Sequence, residues 1–349
     1  MQLTFHQILP EGYIQEVKKS TGVPCGSLKI NEQFEKLLSS TMGSELWAEF
    51  ISKHATSYIH LMNSFEARKR EATADHKKSY NIALPFGFIQ FFTLQSIEDK
   101  LKSTHCPKGL RYSSKLGIIR IDSSLMLQLF AAVVEPMRRH IKREINSLLV
   151  SRSVKYAFLV GGFAQSTVLR DRLKLALEPE TQLIIAPSPH LAVLHGAALF
   201  GLNPEVIRMR RASRTYGIAV FDRFDPRKHP FDAKVVLQNG EKWVCNVFDR
   251  FVTVNQPVGL FETIIRRYSP VLNSQSFCIL KIYSTEQETV TFVTEPGVKQ
   301  CCELCINFQS DGEGIVNPAI EKLFKREIEV EMLFGQSEIK VSFCKINFK

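Results

Sequence analysis

The sequence lacks any run of roughly 20 uninterrupted apolar residues, the length a membrane-spanning helix needs, so no membrane span is expected. Met1 to Pro10 has neither the basic opening nor the apolar stretch of a secretion signal. Internal repeats and low-complexity tracts are missing too. Eight cysteines are present, and without a secretion signal they read as reduced thiols of a cytoplasmic protein. Their one cluster is Cys301-Cys302-Glu303-Leu304-Cys305, with no second CxxC or HxxxH nearby to complete a metal site. The surrounding residues alternate as in a strand, so these thiols read as small buried hydrophobes and no metal ligand is assigned.

What is there is ample apolar material. The chain has 349 residues, of which 44% are hydrophobic and 25 are Phe, enough to exclude disorder as the main state. At roughly 150 residues per domain the length suggests two domains. The net charge of +10 invites a nucleic-acid reading. Its distribution weakens that: Arg68-Lys69-Arg70, Lys77-Lys78 and Arg138-Arg139 interleave with Glu66, Glu71, Asp75 and Glu135, as on solvated helix faces. Only Arg208 to Arg214 is dense and unrelieved, and nucleic acid is disfavoured as a partner.

Apolar spacing predicts a helix around Ile30, Phe34, Leu37 and Leu38, and one long helix from Trp47 to Arg70. Residues 81–92 alternate as a strand pair would. Ser123 or Ser124 caps a helix reaching Leu149, with a break or kink at Pro136. Tyr156 to Val160 reads as a strand buried on both faces. It runs into Gly161-Gly162, then a helix with Leu169, Leu173, Ala176 and Leu177 inward, a strand at Leu183 to Ile185, and a small-residue helix from Leu191 to Phe200. After Pro204 the pattern turns to strands: 216–221, 235–237, 243–247, 277–283, 289–293, 303–308, 327–333 and 338–343. Turn signals such as Asn239-Gly240 and Asp311-Gly312 separate several of them. The division read from this is 1–206, a basic linker at 207–215, and a β-rich 216–349.

Two glycines between a strand and a helix let a ligand approach the backbone, because no Cβ intervenes. The same pair also serves packing alone, and both readings stand at this level. The order of motifs goes further. Phe158-Leu159-Val160-Gly161-Gly162-Phe163-Ala164-Gln165-Ser166, followed by Ser188-Pro189-His190 and Gly196-Ala197-Ala198, resembles the adenosine motif of the seventy-kilodalton heat-shock ATPases, members of the actin-like ATPase superfamily. Phe65-Glu66-Ala67-Arg68-Lys69-Arg70-Glu71-Ala72-Thr73 is similar to that family's adenine-clasping helix, and Cys25-Gly26-Ser27 to its Gly-Gly turn. Ser213-Arg214-Thr215-Tyr216-Gly217-Ile218 and Phe248-Asp249-Arg250-Phe251 look like segments of the divergent heat shock 70 kDa protein 12 branch.

The resemblance implies the second lobe of an actin-like ATPase (ribonuclease-H-like) domain, α/β, followed by a β-sandwich-like domain. Gly161 and Gly162 would lie under the ribose and α-phosphate, Phe163 and Gln165 beside them would also belong to the cofactor site, and Glu66, Lys69, Arg70 and Thr73 would flank adenine and ribose. The other reading of Glu66, Lys69 and Arg70 is a solvated helix face. Gln165 replaces the family's Arg over the adenine and His190 its Asp. Neither Asp-x-Gly-Thr nor Gly-Gly-Gly-Thr occurs, so both phosphate-binding hairpins that the resemblance implies, the first lobe's and the one that follows it, are expected to be absent. No catalytic residue is assigned, ATP or ADP is expected to bind weakly or not at all, and Mg²⁺ only with a first lobe present. The β-rich part implies client peptides or protein partners, and a structural β domain without a groove is the other possibility. The alternative for the whole chain is a nucleotide-independent interaction scaffold.

Overall fold

The fold is described from a computed structural model covering residues 1–74, 78–93, 97–100, 107–149, 153–230, 235–238, 241–270, 277–307, 326–336 and 338–347. Asp75, Lys77, Asn239-Gly240, Asp311-Gly312 and Phe308 lie outside the described residues. The chain divides into two units, one of Met1–Leu3 with Gly22–Leu202, the other of Thr4–Thr21 with Asn203–Lys349. It is a mixed α/β protein with several sheets. No helix among the described residues is long and apolar enough to cross a membrane.

The first unit opens on three helices, Ser27–Met42, Ser44–Lys53 and Ala55–Arg70. The long helix expected from Trp47 to Arg70 is two, because the chain leaves helical geometry at His54, with φ −128° and ψ 47°. Phe34 stacks on Phe65 with centroids 4.0 Å apart, clamping the first helix to the third. The pair of strands expected over 81–92 is one strand, Ser79–Ala83, and one helix, Phe86–Phe92. Pro85 sets that boundary: it is extended and sits just before the helix, where its missing N–H is not needed. The strand pairs antiparallel with Ile118–Asp122, which also pairs with Leu110–Ser113.

Ser123–Leu149 is continuous through Pro136, so the expected break does not occur. One face of this helix buries Val133 and Val134 before the proline and Met137 and Ile141 after it, which offsets the lost backbone hydrogen bond. Its cap is Asp122 rather than a serine: Asp122 Oδ1 accepts from the Leu125 amide at 2.9 Å. The strand–helix–strand unit follows. Tyr156–Leu159 pairs parallel with Gln182–Ile185 across the Thr167–Leu177 helix, whose Leu169, Leu173 and Leu177 are buried. The strand is covered on one face only: Ala157 and Leu159 pack on that core, while Tyr156 and Phe158 are exposed.

In the second unit, Ile14–Gly22, Ile207–Arg211 and Pro257–Gly259 are hydrogen-bonded neighbours in one sheet with Gln2–Ile8. The basic run read as a linker is therefore a strand over Ile207–Arg211. Ile207 pairs with Ile14, Arg208 lies over the Tyr13 ring, and Arg211 bonds Glu16 and Asn255. Two antiparallel sheets follow. One runs Val235–Gln238, Glu241–Val252, Thr215–Arg223, Phe277–Thr285, Lys299–Asn307; the other Thr263–Tyr268, Arg326–Leu333, Lys340–Asn347. Ile218, Leu280, Ile282 and Ile306 of the first share a core with Ile328, Val330 and Met332 of the second. The strand expected at 289–293 is only a bridge, Val247 to Phe292. Gly217 sits where an added Cβ would fall 2.5 Å from the Asp249 carbonyl oxygen, so the strands approach there only because it is glycine.

The cysteine cluster does not form part of a core. Cys301, Cys302 and Cys305 are exposed on Lys299–Asn307, the outermost strand of its sheet. An edge position leaves Leu304 and Ile306 to do the packing.

A polar contact also ties this unit together. Tyr268 Oη donates to Asp249 Oδ2 at 2.5 Å. Burial, then that hydrogen bond, raise the Tyr268 pKa above its ordinary value. In the unfolded chain tyrosine ionises near pH ~10, so the contribution is complete below that pH and is lost as the pH rises beyond it. Tyr268→Phe is expected to cost about 1.5–3 kcal/mol at neutral pH and to reduce the loss of stability on going to alkaline pH. Urea melts across that range check both.

Candidate functional site

The diglycine turn is built by its neighbours. Gly161 has φ +92°, a conformation that favours glycine, and its amide donates to the Pro189 carbonyl at 2.6 Å. Gly162–Gln165 then form a single 3-10 turn, and Ser166 caps the following helix by accepting from the Leu169 amide. An added Cβ at Gly161 or Gly162 would meet nothing within 4 Å. Packing does not require glycine there, and the backbone faces open space. Phe163 turns inward, against both cores of the unit. Gln165 and His190, the two positions that depart from the family pattern, are hydrogen-bonded to each other at 2.9 Å.

The second group lies at the end of Ala55–Arg70. Thr167 Oγ1 donates to the Ala72 carbonyl at 2.9 Å, across 95 residues of sequence, and holds that end beside the turn. Thr73 follows directly; its amide donates to Tyr80 Oη, and its own hydroxyl is buried with no partner among the described residues. Arg70 has an exposed side chain, held by Glu66 Oε1 at 3.0 Å.

Lys69 behaves differently. Its side chain is 3% exposed, and its Nζ donates to Glu66 at 2.5 Å, to Asn31 Oδ1 at 2.8 Å and to the Ser27 carbonyl at 3.2 Å. Asn31 Nδ2 also donates to Glu66 Oε2. Burial lowers the Lys69 pKa against the opposing pull of Glu66. Burial would raise Glu66, but hydrogen bonds from Lys69, Asn31 and Arg70 outweigh it and hold the carboxyl below its usual value. Glu66, Lys69 and Asn31 therefore form a closed network, so the solvated-face reading holds for Arg70 and fails for Lys69.

Sequence reasoning missed Thr167 and Asn31 as site residues. For Asn31 a signal existed, since Ser27 and Asn31 are four apart and share a helix face. For Thr167 there was none, because a contact over 95 residues leaves no local pattern. The site brings together an open backbone turn, a buried hydroxyl without a partner among the described residues, and an exposed guanidinium held by Glu66. No group of three metal-ligating side chains occurs among the described residues.

No protein-family model matches the chain. Curated relatives do. It is 38% identical over 350 residues to heat shock 70 kDa protein 12A of Mus musculus, covering 99% of this chain and 50% of the relative. The Homo sapiens 12A is equally similar, and Homo sapiens heat shock 70 kDa protein 12B is 35% identical over 352 residues. Over nearly its whole length the chain is similar to the divergent 12A/12B branch of the heat-shock-70 proteins, as the ordered motifs implied, and it spans about half the length of these relatives.

In this heat-shock-70 relative the Lys69 network is open to a direct test. Lys69→Ala is expected to cost about 2–3 kcal/mol, below the full penalty for a split buried pair because Glu66 is partly exposed. The Glu66→Leu/Lys69→Met double variant should recover most of it. With Glu66 held below its usual pKa, the network's stability is present at neutral pH and is lost as the pH falls through the lowered value. Denaturant melts at neutral and acid pH read all three.

Proposed function

We propose that the chain is a chaperone-related protein of the heat-shock-70 type, with a partial adenine-nucleotide lobe and a β-rich client- or partner-binding domain. We infer further that its 349 residues do not hydrolyse ATP by themselves. The observation that carries the nucleotide reading is the Thr167–Ala72 hydrogen bond. It brings the Arg70–Thr73 end of one helix to the open Gly161-Gly162 turn, as an adenosine site requires. Bound nucleotide would have its adenine against the Arg70 side chain, whose long stem suits stacking while its guanidinium stays in water. The α-phosphate would meet the bare backbone at Gly162. Phosphoryl transfer needs Mg²⁺, water and the γ-phosphate held together. This sequence has neither Asp-x-Gly-Thr nor Gly-Gly-Gly-Thr to do so.

For the β-rich part, support comes from the strand Lys299–Asn307. It is an edge of its sheet, beside exposed Phe277 and Ile279 on the neighbouring strand. An extended peptide binds such an edge by main-chain hydrogen bonds, with side-chain pockets giving preference. A cytoplasmic location belongs to the same proposal.

A second reading, a nucleotide-independent scaffold, is favoured by the closure of Lys69 on Glu66 and Asn31. Calorimetry with ADP and ATP separates the two. The nucleotide reading expects weak binding, with Kd above about 10 μM, no phosphate release, and loss of binding in Gly162→Asp. That variant has room for its side chain and places a carboxylate against the phosphate. No nucleotide binding, with peptide binding intact, supports the scaffold. Turnover of Mg-ATP by the chain alone would overturn the claim of inactivity.

A further inference from the structure

The basic run at the end of Ile207–Arg211 finds partners in the fold, yet it also spells a motif that the fold does not need. Arg210-Arg211-Ala212-Ser213 places guanidiniums two and three residues ahead of a serine. Ser213 lies at a bend between the strands Ile207–Arg211 and Thr215–Arg223; it is exposed, and its hydroxyl makes no hydrogen bond among the described residues. Consecutive strand residues point to opposite faces, so an extended Arg210-Arg211 pair offers its charges to two separate carboxylates. The segment is lightly held. Two registered pairs join Ile207–Arg211 to Ile14–Gly22, and three join it to Pro257–Gly259. Its firmest point is Arg211, whose amide donates to Glu16 Oε2 at 2.8 Å and whose Nη1 donates to the Asn255 carbonyl at 3.0 Å. Pairing this short opens locally without unfolding a core. Arg214, next to the serine, has a buried Nε with no partner among the described residues and a contact of 3.6 Å to Glu286. A phosphate on Ser213 would gain that cation at little loss.

We propose that Ser213 is a phosphorylation site for a basophilic protein kinase, one whose substrate groove presents carboxylates to Arg210 and Arg211. Arginine suits such reading because each guanidinium takes a carboxylate bidentately. In the step, Ser213 Oγ attacks the γ-phosphorus of kinase-bound Mg-ATP, and the Oγ–P bond forms as the bond to the β–γ bridging oxygen breaks. ADP leaves, and the hydroxyl proton passes to the kinase's catalytic carboxylate. The chain is the substrate here, so the proposal is independent of whether its own lobe binds nucleotide. The same pattern recurs at Arg266-Arg267-Tyr268-Ser269. There Pro270 follows the serine and supplies no N–H to the kinase groove, and Tyr268 is committed to Asp249. Arg214 keeps that N–H, which selects Ser213.

The full chain is incubated with the catalytic subunit of cyclic-AMP-dependent protein kinase and Mg-ATP, and the product is mapped by mass spectrometry. The expected result is one phosphate on Ser213, none without the kinase, and no uptake by Ser213→Ala, a change at an exposed position. Arg210→Gln should lower kcat/KM at least about tenfold, as loss of one partner of a desolvated charge pair does. A loosened strand would speed the reaction, so such a fall is not the mark of a damaged fold. A chain left unmodified at Ser213 overturns the proposal. So do modification only of previously denatured chain, labelling without the kinase, and a rate indifferent to Arg210.

Discussion

The Ser123–Leu149 helix buries Leu125, Met126, Leu129, Phe130 and Val133 in one hydrophobic cluster and Val134, Met137 and Ile141 in another. Each such side chain contributes about 1.5–3 kcal/mol when fully buried, and both halves of the first unit draw on the same rod. The aromatic-rich half carries Phe34, Phe65 and the end of Ala55–Arg70. The other half carries the strand–helix–strand unit and its diglycine turn. Phe163, one residue past the second glycine, packs against both. The shared helix and the Thr167–Ala72 hydrogen bond together place residues near 70 beside the turn at 161–162.

Within this frame, charge is spent locally. The three basic residues Arg68, Lys69 and Arg70 look alike in sequence, yet they take three roles. Arg68 pairs with Glu71 on the surface, Lys69 is buried in a network, and Arg70 stays exposed while paired with Glu66. An exposed pair adds little, whereas a buried ammonium must be fully hydrogen-bonded to persist. The basic run at 208–211 is similarly absorbed: Arg208 stacks on Tyr13 and Arg211 bonds Glu16 and Asn255. A run of positive charge with such internal partners has fewer free groups for phosphates than its composition suggests.

Much of this was legible from residue pattern, and the misses have definite physical causes. Ile30, Phe34 and Leu38 announced their helix because burial follows the helical period. The alternation over 81–92 misled, since Phe86, Phe88 and Phe92 fit either period and only Pro85 separates strand from helix. The helix reached Leu149 as its pattern predicted, without a break at Pro136, because a well-buried face on both sides of a proline outweighs its lost hydrogen bond. The thiols misled because alternation identifies a strand and is silent on whether that strand lies inside or at an edge. At the site, the glycines were visible, but the distinction between Lys69 and Arg70 depends on Asn31, whose contact reaches across 38 positions.

Tyr156 to Val160 shows the same limit most sharply. Its composition reports how much apolar surface the strand has; it does not report what covers it. Ala157 and Leu159 find the Thr167–Leu177 helix, and Tyr156 and Phe158 find nothing among the described residues. Apolar side chains scattered singly on a surface are ordinary, whereas a contiguous exposed apolar patch adds aggregation risk without stability. A strand apolar on both faces and a helix with His195 as its one polar side chain therefore carry more apolar surface than is covered among the described residues. The buried face of this strand–helix–strand unit is satisfied within the unit. Its exposed face and the Ala192–Leu202 helix carry the same chemical signature with far less cover among the described residues, whereas the Lys69 network is already closed.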